Sequence, residues 1–132
     1  LSHKAKDSGI TVKLSLEDNV PLFKFDAKQF KTVLINLSLN SIDAMREGGI
    51  LEMKTALRDK DIIIYVSDNG KGFQEKDLGK IFSPFFSTKE GGLGLGLSIV
   101  QKIVENHGGK INCTSKVGEG TTFEIILPIE RD

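Results

Sequence analysis

The sequence predicts an α/β fold: a largely antiparallel or mixed sheet of about five or six strands, covered on one face by two or three helices. Three observations predict it. Strand-like runs follow one another as hairpins, joined by polar turns at Asp59-Lys60-Asp61 and Gly118-Glu119-Gly120. Two segments, one from about Asp26 to Glu47 and one after Gly96, repeat apolar residues with the period of a helix. The run Ile62-Ile63-Ile64-Tyr65-Val66 is apolar on both faces, as a central strand covered by layers requires.

In chain order, Leu1 to Ser8 is polar and lysine-rich and is expected to end an upstream helix or linker, leaving residues 9–132 as the domain. Ile10, Val12, Leu14 and Leu16 alternate with polar residues, the pattern of a half-buried strand, and Leu22 to Phe25 predicts a short second one. Asp26 caps the first helix, with Gln29 at the third helical position able to return the hydrogen bond, and Gly48-Gly49 end it. Leu51, Met53 and Leu57 alternate with charged residues from Ile50 to Arg58, and the Asp59 turn leads into Ile62 to Ser67. From Asp68 to Gly96 the periodicity stops and seven glycines punctuate the chain, which predicts a binding loop or lid. Leu97, Val100 and Val104 then restart a helix that closes at His107-Gly108-Gly109. Two strands, Lys110 to Ser115 and Thr121 to Ile129, complete the sheet.

The first helix carries Asn36, Asn40 and Asp43 at i, i+4 and i+7, within roughly 60° of one another at about 100° per residue. Gln29 and Glu47 extend the stripe, and apolar residues flank it on both sides. A solvated stripe would hold Lys and Glu, whereas amides between apolar side chains suit the wall of a cavity.

Composition narrows the occupant. The 132 residues suit one domain, and eighteen basic against eighteen acidic residues with no basic cluster disfavour nucleic acid or an anionic membrane as partner. Cys113 is the only cysteine, so an internal disulfide and a cysteine-built metal cluster are excluded, and a reducing compartment fits. No apolar run approaches the ~20 residues of a transmembrane helix. A soluble, cytoplasmic domain is expected. The chain starts at Leu1 without methionine, as a piece of a longer protein would.

Three constellations carry chemistry. Asp68-Asn69-Gly70-Lys71-Gly72 ends the central strand, and alternation puts Asp68 on the apolar side with Ile62, Ile64 and Val66. A buried carboxylate needs hydrogen-bond donors, and an adenine amine is one candidate; a plain Asp-Asn-Gly turn is the other reading. Gly91-Gly92-Leu93-Gly94-Leu95-Gly96-Leu97 runs into a helix, where free amides and the dipole favour an anion. It lacks the Gly-Lys-Ser/Thr ending of a P-loop and the strand and spacing of the dinucleotide fingerprint, so a lid hinge competes with a phosphate cradle. Ile81 to Lys89 places three phenylalanines in a polar loop, which suits either docking on an apolar surface, with Lys89 reaching a phosphate, or a loop anchored in the core with Lys89 solvated.

Together, in this order, the pieces resemble the catalytic and ATP-binding domain of two-component sensor histidine kinases. Asn36 to Ala44 resembles the N box, Asp68-x-Gly70-x-Gly72 the G1 box, Phe82 to Phe86 the F box, Gly92-x-Gly94-x-Gly96-Leu97 the G2 box, and Gly118-x-Gly120-Thr121 the last glycine box. The resemblance covers nearly the whole chain and points to the superfamily shared by DNA gyrase, the MutL repair proteins and a heat-shock chaperone. It implies the Bergerat fold of that superfamily, a two-layer α/β sandwich with a mixed, mostly antiparallel sheet of about five strands covered on one face by about three helices. The resemblance implies Mg-ATP or ADP as ligand. It makes Asn40 the magnesium ligand, with Asn36 and Asp43 beside it, and Asp68 the acceptor of the adenine amine. Gly70, Gly72, Phe73 and Thr122 would complete the adenine site. Gly92, Leu93, Gly94, Leu95, Gly96 and Leu97 would line the phosphates, and Lys89 would meet the terminal ones.

ATP-hydrolysing members of the superfamily carry Glu where Asn36 stands. An amide is no general base near neutral pH, so transfer to a protein side chain is expected, with Asn36 and Lys89 serving the reacting phosphate. The acceptor histidine is expected on an upstream dimerisation domain, with relay to the receiver domain of a response regulator. His3 has no acidic residue directly after it and no helical hairpin behind it, and His107 is expected to close a helix. The isolated domain is expected to be a monomer, its parent a homodimer, and residues 70–91 a lid that closes on ATP. An anti-sigma-type serine kinase and a nucleotide-gated binding module are the alternatives.

Overall fold

The computed structural model of the chain describes residues 9–17, 26–45, 48–86 and 96–129. Five strands form one sheet in the order β1-β2-β3-β5-β4, with β1 at Ile10–Ser15, β2 at Gly49–Arg58, β3 at Asp61–Asp68, β4 at Lys110–Lys116 and β5 at Gly120–Pro128. β1 runs parallel to β2 and every other pair is antiparallel, so the sheet is mixed and mostly antiparallel as expected. Helix α1 (Ala27–Ala44) lies over β2 and β3, and helix α2 (Gly96–Asn106) packs beside α1 and over β4. The predicted strand at Leu22 to Phe25 lies outside the described residues.

Period-two burial explains the sheet. Ile62, Ile64 and Val66 of β3 and Phe123, Ile125 and Leu127 of β5 turn their side chains under the helices and are almost wholly buried. Val33 and Leu37 of α1 and Val100 and Val104 of α2 meet them, each with no exposed surface. β1 departs from the expected half-burial. Only Ile10 is covered, while Val12, Leu14 and Leu16 are exposed, because β1 is the edge strand and α1 sits over its neighbours.

Helix α1 begins as the sequence predicts, with the Asp26 carboxylate accepting from the backbone N–H groups of Lys28 at 2.9 Å and Gln29 at 3.1 Å. The return half of the capping box is different. The backbone N–H of Asp26 donates to Nε2 of His107 at 3.2 Å rather than to Gln29. The helix ends at Ala44, before the expected Glu47, with Met45 as its cap and its N–H bonded to the Ile42 carbonyl.

The segment after β3 is more ordered than its glycines suggest. A short 3-10 turn at Glu75–Asp77 leads into successive turns, and Ile81 is buried in the main core. Phe82 meets Phe123 edge to face at 6.3 Å, with Leu78 and Phe86 also against the core. Residues 73–86 of the expected lid are therefore anchored by apolar burial, and residues 87–91 lie outside the described residues.

Candidate functional site

A pocket with about 340 Å³ of open space lies between the C-terminal half of α1 and the ends of β3 and β5. Its lining is Asn40, Asp43 and Ala44 from α1, Asp68, Lys71, Gly72 and Phe73 from the end of β3 and the turn beyond, and Thr121 from β5.

Asp68 sits at its base. It is the last residue of β3, its side chain shares the covered face with Val66, and only 9 % of the residue is exposed. Burial pushes its carboxyl above the ordinary carboxylate range, and contacts from Ser41, the Gly70 amide and the Thr121 amide oppose that rise. The Gly70 N–H donates to Oδ1 at 2.9 Å. Ser41, wholly buried, brings its hydroxyl toward the carboxylate without closing a well-formed hydrogen bond. The base of the pocket thus holds a buried acceptor with room for a further donor.

Backbone packing holds Asp68 in place. Thr121 pairs with it across the β3–β5 ladder, and Gly120 just before, at φ 128°, passes so close that a Cβ there would run into the Asp68 carbonyl. Gly72, at φ 73°, likewise leaves no room for a Cβ beside the Lys116 carbonyl. The Lys71 N–H donates to the Ala44 carbonyl at 3.1 Å, tying the turn to the C-terminus of α1. Ser115 accepts from the Phe73 N–H at 2.7 Å and lies 2.8 Å from the Thr121 hydroxyl. Cys113 is close enough for its thiol, already raised by burial, to be pushed by the Asp68 charge to about 12, so it stays a thiol.

Of the residues singled out from the sequence, Asn40, Asp43, Asp68, Gly72 and Phe73 line this pocket, and Gly70 supplies the amide that holds Asp68. Asn36 lies one turn before Asn40, its Nδ2 donating to the Thr32 carbonyl at 2.9 Å. Its Oδ1 is left facing the first turn of α2, where a Cβ on Gly96 would stand 2.9 Å away. Gly96 and Leu97 open α2. Lys89, Gly92, Leu93, Gly94 and Leu95 lie outside the described residues. Thr122 is a correction. Its side chain points to the opposite face of the sheet, with its hydroxyl 3.0 Å from that of Ser67, and Thr121 takes its expected place beside Asp68.

The sequence held the signal for that correction. Phe123, Ile125 and Leu127 face the helices, so alternation puts Thr121 on their side and Thr122 on the other. Ser38 and Ser41 were also missed, although Val33, Leu37 and Ser41 fall on one line of the helix. Both hydroxyls are buried and unpaired among the described residues. No group of three or more His, Cys, Asp or Glu side chains among the described residues could hold a metal by itself. No helix among them is long and apolar enough to cross a membrane.

Residues 25–131 match the family described as histidine kinase-, DNA gyrase B-, and HSP90-like ATPase. Sensor histidine kinase ZraS of Escherichia coli K12 is 37% identical over 129 residues, covering 98% of this chain and 28% of that protein. Sporulation kinase E of Bacillus subtilis 168 is 37% identical over 133 residues, covering 100% of this chain and 18% of that protein. The chain therefore spans less than a third of these relatives. Among solved structures, the catalytic domain of histidine kinase ThkA superposes with a TM-score of 0.86 at 34% identity, over 97% of this chain and 84% of that one. Full-length ShkA, solved in complex with AMPPNP, superposes with a TM-score of 0.89 at 25% identity, over 99% of this chain and 28% of that one.

Proposed function

This chain belongs to the family of histidine kinase-, DNA gyrase B- and HSP90-like ATPases, as a catalytic domain of the sensor histidine kinase kind. From that premise we propose that it binds Mg-ATP in the Asp68 pocket and hands the terminal phosphoryl group to a histidine on an upstream dimerisation domain. A receiver domain of a response regulator then takes the group from that histidine. The observation that carries the reading is the buried Asp68 carboxylate at the base of a pocket walled by Asn40. A charged acceptor with a raised pKa, held by the Gly70 amide and lacking a full set of donors, is suited to receive the exocyclic amine of adenine. Thr121 and Ser41 are the hydroxyls within reach of the same edge.

Asn40 and Asp43 then face the phosphate end. Without a three-residue acidic or histidine cluster among the described residues, a metal here would take one or two protein oxygens and keep waters and phosphate oxygens for the rest. That donor set fits magnesium, with the Asn40 amide oxygen as its ligand. Magnesium, when bound, supplies charge neutralisation and alignment of the phosphates. Asn36, with its amide nitrogen spent on Thr32, offers an oxygen and no proton acceptor, which favours transfer over hydrolysis. The amides of Gly96 and Leu97 open α2 toward the phosphates, and Lys89 is the expected partner of the terminal one. Closure of the lid over ATP would exclude water from the transferring group. The free domain is expected to be a monomer, and its parent a cytoplasmically facing homodimer.

Calorimetry with ATP tests this. The wild-type chain should bind ATP more tightly with magnesium. Asn40→Ala should keep the fold, since alanine favours a helix, and lose much of that magnesium dependence. With labelled ATP the chain should phosphorylate an added dimerisation domain and not itself. Stable acid-labile label on His3 or His107 would overturn the proposal.

A further inference from the structure

Helices α1 and α2 run antiparallel, and two contacts flank their apolar packing. At one, Gly96 opens α2 against the Oδ1 of Asn36, which a Cβ at that position would approach to 2.9 Å. At the other, Nε2 of His107, just past the end of α2, accepts the backbone N–H of Asp26, the N-cap of α1, at 3.2 Å. The two points are ten residues apart on α1 and eleven on α2, or about 15 Å and 16 Å at ~1.5 Å per residue. The two contacts are thus matched in spacing along the packed helices.

The chemistry of the second point is set by its partners. Nδ1 of His107 lies 2.8 Å from the Ile103 carbonyl, which can only accept, so Nδ1 carries the proton. Nε2 is then the bare nitrogen, as its bond from the Asp26 N–H requires. One side chain therefore closes the C-terminus of its own helix and takes up an N–H that helix α1 leaves without an intrahelical partner. No other acceptor for that N–H is seen among the described residues, since the Gln29 side chain does not return to it.

We propose that His107 is a positioning residue for the nucleotide site, acting through the register of α2. By holding α2 against the start of α1, it keeps the first turn of α2, and its amides, over Asn36. This inference rests on the phosphate end of the pocket lying where the proposed function puts it. It makes a distinction within the ligand. Adenine is read by Asp68 on the sheet, so loss of the His107 link leaves adenine recognition alone and weakens only what the phosphates add.

Two variants separate the bond to Ile103 from the bond from Asp26. His107→Asn places an amide where Nδ1 stands, keeping the bond to Ile103 and losing the bond from Asp26. His107→Gln places an amide oxygen where Nε2 stands, keeping the acceptor for Asp26 and losing the bond to Ile103. Register is read first without nucleotide, from the amide resonances of Gly96 and of the Asn36 side chain. These should shift in His107→Asn and stay near wild type in His107→Gln. Affinity is read next, for AMPPNP and for adenosine. His107→Asn should weaken AMPPNP binding about three- to tenfold, as the loss of one modest hydrogen bond implies, and leave adenosine unchanged. His107→Gln should bind both as wild type does. The reverse order, with Gln harmful and Asn benign, would make His107 a cap for α2 alone and overturn the inference, as would equal losses for both ligands. Resonances that move as expected in a chain that binds no nucleotide would instead overturn the proposed function, leaving the register link standing.

Discussion

The two walls of the pocket are built on different principles. The sheet wall, with Asp68 at its centre, is fixed by backbone contacts: the β3–β5 ladder, the Gly70 amide, and the crowding of Gly120 against the Asp68 carbonyl. The helix wall has one backbone tie to the sheet, from Lys71 to Ala44, and is otherwise held by side chains, with Asn36 on Thr32, Gly96 against Asn36, and α2 tied to α1 through His107. A wall made from ladder hydrogen bonds moves only when the sheet opens. A wall made from two packed helices can slide at the cost of a few side-chain contacts. The first suits recognition of a rigid base, and the second suits phosphates whose number changes during turnover.

The largest effect should come from disturbing the sheet wall at its backbone. Gly120→Ala forces a Cβ into the Asp68 carbonyl at φ 128°, and should cost about 2–3 kcal/mol or more of stability. Chemical denaturation measures it. A loss under about 0.5 kcal/mol would show that the hairpin relaxes freely and that this wall is no firmer than the other.

Asp68→Asn attacks the same wall through its charge. It should weaken ATP and adenosine alike, about 10- to 100-fold, the loss expected for a hydrogen bond to a charged group. The fold should not suffer. Between the ordinary value of 3.8 and its raised native value, the folded chain keeps a proton that the unfolded chain has released. Stability therefore falls as pH rises through that window and is level above it. The asparagine variant lacks this decline, so it should be at least as stable as wild type at neutral pH, with the difference shrinking in acid. Thermal unfolding across pH checks the sign.

The smallest effects come from the turns between the walls. Phe82 packs edge to face on Phe123, whereas Phe85 is 74% exposed. Phe82→Ala should cost about 1–3 kcal/mol, and Phe85→Ala no more than about 0.5. Equal costs would mean that residues 78–86 are not anchored through Ile81 and Phe82.

The contrast also explains what could be read from the sequence. Alternation located β2 and a run apolar on both faces located β3, and the glycine and turn signals bounded these and β5 to within a residue or two. The stripe Asn36, Asn40 and Asp43 and the inward direction of Asp68 followed from periodicity alone, because a regular element fixes where each side chain points. What periodicity could not give were contacts between elements distant in the chain. The bond from Asp26 to His107 joins residues 81 positions apart, so the local capping-box pattern at Gln29 was the nearer reading and the wrong one. The exposure of Val12, Leu14 and Leu16 depends on β1 being the edge strand, which strand order alone decides. Ser38 and Ser41 were legible as core positions by helical spacing, yet their residue type drew attention away from the core. The glycines of the segment after β3 suggested a lid throughout, whereas Leu78, Ile81, Phe82 and Phe86 bury enough apolar surface to hold its first part down.

Hydrogen exchange of the 132-residue chain, with adenosine and with AMPPNP plus magnesium, tests the division between the walls most directly. Adenosine should slow the Gly70 amide, which donates to Asp68, and leave Gly96 and Leu97 as they are in the free chain. AMPPNP should slow all three, while the Ile62 to Val66 amides of β3 change little with either ligand. If adenosine alone protected the start of α2 as fully as AMPPNP does, the helix wall would be responding to the base, and the separation of base and phosphate recognition would be contradicted.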